Sequence, residues 1–170
     1  MLPDGTTLQG ESIRLRGTTE HDSDFVVRTE PEADNPAYVN VWSREEHAAI
    51  AVDPDRAHLI VEATDDRRSV GYVILGRWPG SNYSIELTRI TIAEEGRGFG
   101  REAVQLVKKL AFETLGAHRL WLDVRDHNVR AQRPYESEGF VREGVLRDYN
   151  KVGNGFESLI IMSMLEHEYR

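Results

Sequence analysis

Gly96-Arg97-Gly98-Phe99-Gly100 stands between a β-branched run ending at Ile92 and the helical periodicity that follows it. Glycines at such a junction let backbone N–H groups approach an anion, and a helix N-terminus adds partial positive charge. Phosphate binding by the main chain is the chemistry on offer. No Gly-Lys-Ser/Thr follows, so this is not a Walker loop, and Arg101 stands where the dinucleotide fingerprint needs its third glycine. ATP and NAD lose ground accordingly. A second group of residues, Asn128-Val129-Arg130-Ala131 followed by Tyr135-Glu136-Ser137-Glu138-Gly139-Phe140, lies one strand further on. Glu86, on the run leading into the glycines, offers a carboxylate that can accept a proton, and His127 beside Asn128 offers an imidazole that titrates near neutrality. Gly80-Ser81-Asn82-Tyr83 lacks the second glycine of a nucleophile elbow, and the absence of cysteine removes thiolate nucleophiles, disulfides and thiolate metal sites. The six histidines show no His-Glu-x-x-His spacing, so no metal is expected.

The elements that must carry these residues follow from periodicity. Ser12–Arg16 alternates as a short strand, a helix is expected near Thr19–Thr29, and Ser43-Arg44-Glu45-Glu46 has capping-box spacing for another that ends at Asp53-Pro54. His58–Ala63 and Val70–Gly76 read as a hairpin, the loop Trp78–Asn82 follows, and Tyr83–Ile92 is a long strand whose alternation puts Glu86 with Thr88 and Ile90 and puts Leu87 with Arg89 and Thr91. Arg101–Leu115 places Ala103, Leu106, Val107, Leu110 and Ala111 on one helical face, and Gly116 stops it. Arg119–Val124 is a strand, Asn128 caps a helix to about Glu138, and Phe140–Tyr149 and Phe156–Leu165 are two closing strands around Asn150–Gly155. Strands that meander and then alternate with helices give a mixed α/β or α+β sheet. The chain has 170 residues, of which 39% are hydrophobic and 29% charged, with 21 basic against 29 acidic side chains and a net charge of −8. That balance predicts one globular domain, disfavours a nucleic-acid partner and suits a cationic ligand. The longest apolar runs are far short of the roughly 20 residues a membrane span needs, and the N-terminus has no leader pattern, so the expected location is cytoplasmic, with no membrane partner.

Together the two motifs resemble the GNAT superfamily of acyl-CoA-dependent N-acyltransferases. Gly98 and Gly100 fit its (Gln/Arg)-x-x-Gly-x-(Gly/Ala) loop, and Asn128, Ala131, Tyr135, Gly139 and Phe140 fit its second motif, over about Ile85–Val145. Leu115–Val124 and the closing Met162–Leu165 are similar to the ribosomal-protein N-terminal acetyltransferase-like branch. The resemblance implies a mixed, mostly antiparallel twisted sheet of about seven strands flanked by about four helices. It implies acetyl-CoA as cosubstrate and transfer of an acetyl group to a primary amine in a ternary complex. Backbone groups of Ile90, Thr91 and Ile92 would hold the pantetheine as an added strand, and Arg97, Gly98, Phe99, Gly100, Arg101 and Glu102 would wrap the pyrophosphate. Asn128 would hydrogen-bond the pantetheine arm or brace the neighbouring strands, Ala131 would contact the cofactor, and Arg133 would reach the nucleotide phosphates. Tyr135 would protonate the departing thiolate, a phenol of ordinary pKa about 10 serving a thiol of about 8.5. Glu86 would take the proton from the attacking ammonium, with His127 or a water chain as the other candidate base.

Two positions depart from the family pattern. Glu95 stands where Gln or Arg is usual, with Glu94 beside it, and two carboxylates repel phosphate unless Arg97 and Arg101 compensate. Pro134 removes a helical hydrogen bond and is expected to kink the helix before Tyr135. Both departures motivate the alternative of a non-catalytic acyl-CoA-binding or sensing module. Trp42, Trp78 and Trp121 are expected as core or loop anchors. The acidic stretches Glu30–Asp34 and Asp53–Asp55 lean toward a cationic acceptor, and the apolar C-terminal strand could pair at a homodimer edge or complete its own sheet.

Overall fold

In the computed structural model, residues 5–32, 41–76 and 82–169 are described. They form one eight-stranded sheet in the order β1-β2-β3-β4-β5-β6-β8-β7. The strands are β1 (Thr7–Gln9), β2 (Ile13–Gly17), β3 (Ala57–Ala63), β4 (Ser69–Gly76), β5 (Ser84–Ile92), β6 (Arg119–Arg125), β7 (Val141–Val152) and β8 (Gly155–Leu165). Every neighbouring pair is antiparallel except β5 and β6, which run parallel. The helices are α1 (Ser23–Glu32), α2 (Arg44–Val52), α3 (Phe99–Lys109) and α4 (Val129–Ser137), and α3 continues as a π-helical turn over Leu110–Thr114. The strand absent from the sequence reading is β1, whose three residues hold one apolar side chain and so carry no periodic signal. The capping box forms as expected: Ser43 Oγ accepts from the Glu46 N–H and Glu46 Oε2 accepts from the Ser43 N–H, opening α2. The last hairpin is longer than expected because its turn is only Gly153-Asn154, with Gly153 at φ 57°, a two-residue turn that lets β7 run on to Val152. Of the expected loop 78–82 only Asn82 is described, and Trp78 and the end of the acidic stretch, 33–34, lie outside the described residues.

The two faces of the sheet are covered differently. On one face the stripe Phe99, Ala103, Leu106, Val107 and Leu110 of α3 packs on Leu15, Leu59, Val61, Val73, Leu75, Ile85, Leu87, Leu120, Leu122 and Val124. Each large aliphatic side chain so buried contributes about 2 kcal/mol, which decides the face α3 takes. On the other face α1 and α2 cover Ile60, Tyr72 and Ile74 with Val26, Phe25, Trp42 and Ile50. The C-terminal strand β8 has β6 on one side and β7 on the other, so it completes its own sheet.

The face beneath α1 and α2 is polar at its centre. His47 Nδ1 and His58 Nε2 lie 3.1 Å apart, and His58 Nδ1 is 2.8 Å from Thr18 Oγ1. Burial, with His47 beside it, pushes the His58 imidazole down to about 4. Unfolded chain binds that proton near pH 6.5 and folded protein only near 4, so unfolding takes up a proton between the two values. Stability therefore falls as the pH drops through that window, by about 2 kcal/mol at pH 5 and about 3 kcal/mol at its acid end. Urea unfolding at pH 7.5 and pH 5.0 should show this loss in the wild type and a smaller one in His58→Phe. A pH dependence identical in the two proteins would assign the loss to other groups.

Candidate active site

The parallel pair β5/β6 is joined at only one end. Ser84, Ile85 and Glu86 pair with Arg119, Leu120 and Trp121, after which β6 stays with β8 as far as Arg125 while β5 stays with β4 as far as Ile92. The strands therefore part after Glu86, and the edge of β5 that faces the gap has no strand partner from Leu87 onward among the described residues. An edge of this kind offers N–H and C=O groups to an extended ligand arm. A cavity of about 220 Å³ fills the gap, lined by Thr88, Arg89, Thr91, Asp123, Asn128 and Tyr135 among others. It shares Ile90, Asn128, Ala131 and Tyr135 with a larger cleft of about 640 Å³ that runs out between the glycine-rich loop and α4.

The loop delivers the N-terminus of α3 to that cleft. Gly96 and Gly98 take φ values of 77° and 78°, a left-handed conformation that glycine adopts without strain, and Gly98 is the N-cap. The first helical bond runs from the Glu102 N–H to the Gly98 carbonyl, leaving the N–H groups of Phe99, Gly100 and Arg101 without helical acceptors. The helix thus starts two residues earlier than its apolar periodicity implied. Gly100 is helical, and a Cβ there would meet only Ile92 Cγ1 at 3.7 Å, so packing within the protein does not demand glycine. Its missing side chain keeps the floor of the cleft open. The two carboxylates expected to repel phosphate are both engaged: Arg68 binds Glu94 at 2.7 and 2.9 Å with Arg97 at 3.2 Å, and Arg130 binds Glu95 at 2.8 Å. The Arg68 hydrogen bonds hold the Glu94 carboxyl below its ordinary value.

Helix α4 carries the other wall and holds Pro134 inside its continuous span, Val129–Ser137. Asn128 Oδ1 accepts from the Ala131 N–H at 3.1 Å to open it, and Gln132 Nε2 donates to the carbonyls of Arg125 and Asp126. Its far end is tied to α3 through Glu138, which Lys108 reaches at 2.8 Å, Arg101 at 2.5 Å and Gln105 at 3.1 Å. Burial raises the Glu138 carboxyl, but the hydrogen bonds from Lys108 and Arg101 outweigh it and hold the group below its ordinary value. Anchored at both ends, the helix seats the Tyr135 ring edge-on against Phe140, with centroids 5.8 Å apart, on the α3 face of the sheet.

A bulge in β5 alters the expected faces. Ile74 pairs with Arg89 and Leu75 with Leu87, so Thr88 is an extra residue. Ile85 and Leu87 point to the α3 core, and beyond the bulge Ile90 and Ile92 do so too, which turns Arg89 and Thr91 to the α1/α2 face. Glu86 consequently does not share a face with Ile90: strand alternation puts it on the α1/α2 face, at the closed end of the gap beside Trp121. Two residues further along β6, Asp123 stands on that same face where the gap has opened, because Leu120, Leu122 and Val124 take the core side. Asp123 is exposed at the mouth of the gap, and desolvation by the protein around it raises its carboxyl above the ordinary value against the opposing pull of Arg125. Arg125 is itself held by Glu157 at 3.0 Å, with Asn150 Nδ2 donating to the same carboxylate at 3.2 Å.

The model of the acetyltransferase (GNAT) family matches residues 26–140 of this sequence. The chain belongs to that family. Among relatives, an uncharacterised N-acetyltransferase of Mycobacterium tuberculosis is 39% identical over 98 residues, 57% of this chain and 60% of the relative. A ribosomal protein bS18-alanine N-acetyltransferase of Salmonella typhimurium is 41% identical over 69 residues, 40% of this chain and 45% of the relative. A spermidine N(1)-acetyltransferase of Vibrio cholerae is 31% identical over 83 residues, 48% of each chain. The chain thus spans 60% or less of the length of these curated relatives. A crystal structure of spermidine N-acetyltransferase from Vibrio cholerae in complex with CoA and spermine superposes with a TM-score of 0.82 at 23% identity, covering 93% of this chain and 98% of that one, which shows the shared fold.

Within this GNAT fold most of the expected site residues meet. Ile90, Ile92, Gly98, Phe99, Gly100, Arg101, Asn128, Ala131 and Tyr135 line the larger cleft, and Thr91 lines the gap. Arg133 lines a shallow depression next to the cleft with Arg101 and Arg130. Arg97 turns to Glu94 and lies over the Phe99 ring, 4.8 Å from its centroid. Glu102 points away from the cleft: its Oε1 accepts from the N–H groups of Ser12 and Ile13 at 2.9 and 3.3 Å, tying α3 to β2. His127 lines the larger cleft and contacts Asp126 at 3.2 Å. Asp123 escaped the sequence reading, although its alternation with Leu122 and Val124, one turn before the Asn128 cap, was the signal available for it. Of the expected tryptophan anchors, Trp42 packs with the α1/α2 core and Trp121 sits half-buried on β6. No helix among the described residues is long and apolar enough to cross a membrane.

Proposed function

We propose that the protein is an acetyl-CoA-dependent N-acetyltransferase that acts on a primary aliphatic amine in a ternary complex. One observation carries this reading. The gap between β5 and β6 is continuous with the amide-rich start of α3, with Tyr135 on the face of the cofactor cleft and Asp123 on the opposite face. Acetyl-CoA when bound supplies an activated acyl carbonyl and a thiolate leaving group. The chain's residues do the rest. The N–H groups of Phe99, Gly100 and Arg101 bind the pyrophosphate, with the Arg101, Arg130 and Arg133 guanidiniums near the nucleotide end. The free edge of β5 holds the pantetheine arm and directs a backbone N–H at the carbonyl oxygen. Asn128 and Ala131 close that arm from the α4 side. The Tyr135 hydroxyl gives its proton to the sulfur as it leaves. Asp123 takes the proton that the ammonium must lose before it can attack, with Glu86 one pleat below, about 7 Å along the strands, able to receive it through water.

The acceptor class is read from chemistry common to named relatives, whose names give an alanine of ribosomal protein bS18 and spermidine as acetylated at nitrogen. The opposing reading of a non-catalytic acyl-CoA-binding module loses the motivation it drew from Glu94 and Glu95, because arginines neutralise both. The same function puts the protein in the cytoplasm. Any homodimer made by pairing of outer strands uses β1 or β7, since β8 has a neighbour on each side.

Calorimetric titration with acetyl-CoA, CoA, ATP and NAD tests the cofactor. Wild-type protein should bind acetyl-CoA and CoA at micromolar concentration and neither ATP nor NAD. Gly100→Val, which fills the floor of the cleft, should weaken CoA at least about 10-fold, since one misplaced branched side chain at a close backbone approach costs 1–3 kcal/mol. Absence of CoA binding by folded wild-type protein would defeat the proposal.

A further inference from the structure

The acetyltransferase reading leaves a fully buried carboxylate and its partners without a task. Glu30 of α1 is fully buried, and its carboxylate accepts from Tyr72 Oη of β4 at 2.7 Å, from the Trp42 backbone N–H at 2.5 Å and from the Arg89 guanidinium of β5. His47 Nε2 of α2 lies 3.4 Å from the same carboxylate, and the Arg89 guanidinium sits 3.8 Å above the centre of the Trp42 ring. Thus α1, the approach to α2, α2 itself, β4 and β5 all converge on one carboxyl group. Stability does not explain the arrangement, because an apolar pair of the same volume generally serves a protein interior as well as a buried ion pair.

Its location does. Arg89 follows the β5 bulge at Thr88 and directly precedes Ile90, Thr91 and Ile92, the stretch assigned to the pantetheine. Arg89 and Thr91 also line the gap, on the face from which the amine must approach because the cofactor cleft occupies the other. Tyr72, the second partner of Glu30, is the cross-strand neighbour of Thr91. We propose that Glu30 is a positioning residue: it locks α1 and α2 to the cofactor strand as one unit, so that the acceptor face is held in register with the acyl carbonyl. The inference rests on the acetyltransferase reading. It carries two consequences. Engagement of β5 by CoA must be felt at the Trp42 N–H and along 42–47, and breaking the lock must cost turnover and not cofactor affinity, since alignment of the reactants is what is lost.

Removing one charge alone would strand the other in the interior, so the test uses the double variant Glu30→Gln with Arg89→Met, which removes both at similar volume. Amide hydrogen exchange is followed with and without CoA, alongside steady-state kinetics with an amine acceptor. In wild-type protein CoA should slow exchange in β5 and also at Trp42–His47. In the double variant the slowing should be confined to β5 and α3, with the Kd for CoA within about 3-fold of wild type and kcat lower by at least about 10-fold. Protection in the wild type that stops at β5 and α3, or a double variant whose kcat stays within about 2-fold, would overturn the positioning role. If the double variant does not fold, Tyr72→Phe keeps the ring and removes one bond to Glu30, and the same loss of protection at 42–47 is required of it. Failure of wild-type protein to bind CoA would instead refute the acetyltransferase reading, and it is seen before any variant is compared.

Discussion

Tyr135→Phe should lower kcat by about 10²- to 10³-fold while leaving the Kd for acetyl-CoA within about 3-fold of wild type, the range expected when a positioned general acid is removed. The substitution deletes one hydroxyl and little else. The ring keeps its edge-on contact with Phe140, and α4 is held independently by the Asn128 cap and by Glu138 against Lys108 and Arg101. Binding and turnover should therefore separate, which calorimetry and steady-state rates measured on the same preparation will show. Parallel loss of both would mean that the tyrosine shapes the cleft and that another group protonates the sulfur.

Asp123→Asn should produce the second large effect, a fall of about 10²-fold in kcat/KM for the amine. Its pH signature is more specific than its size. A base must be deprotonated to act, and desolvation at the gap sets the Asp123 carboxyl above its ordinary value, so wild-type kcat/KM should climb as pH rises through that raised pKa. In Asp123→Asn the climb due to this group disappears, whereas Glu86→Gln should retain it and lose less than about 10-fold, because Glu86 sits at the closed end of the gap. A Glu86→Gln variant that loses the acidic limb, with Asp123→Asn keeping it, would exchange the two roles.

Much of the proposed cofactor half of this site is legible as local chemistry. The glycine run, the Asn128 cap, the amphipathic stripe of α3 and the order Asn128, Ala131, Tyr135, Gly139, Phe140 each depend on residues a few positions apart, so their geometry follows from backbone rules that act within one turn or one strand. The capping box at Ser43 formed for the same reason. The acceptor half is another matter. Strict alternation along Tyr83–Ile92 placed Glu86 with Ile90, and one extra residue at Thr88, imposed by pairing with β4, reversed that assignment. No property of β5 alone signals such a bulge.

Charge partners divide along the same line. Glu94 and Glu95 looked like a defect in a phosphate loop because their neighbours in sequence say nothing of Arg68 and Arg130, which arrive 26 and 35 residues away. Pro134 lies inside α4, whose two ends are tied by the Asn128 cap and by Glu138, and neither tie is visible from the proline's own neighbours. Composition, periodicity and motif order point to the family, the mixed sheet and the glycine-rich start of α3, since these rest on short-range steric and capping preferences. Where the sheet parts, which face Asp123 and Glu86 share, and why Glu30 is buried against Arg89 are decided only when distant strands and helices pack, because desolvation and strand register are properties of the assembled interior.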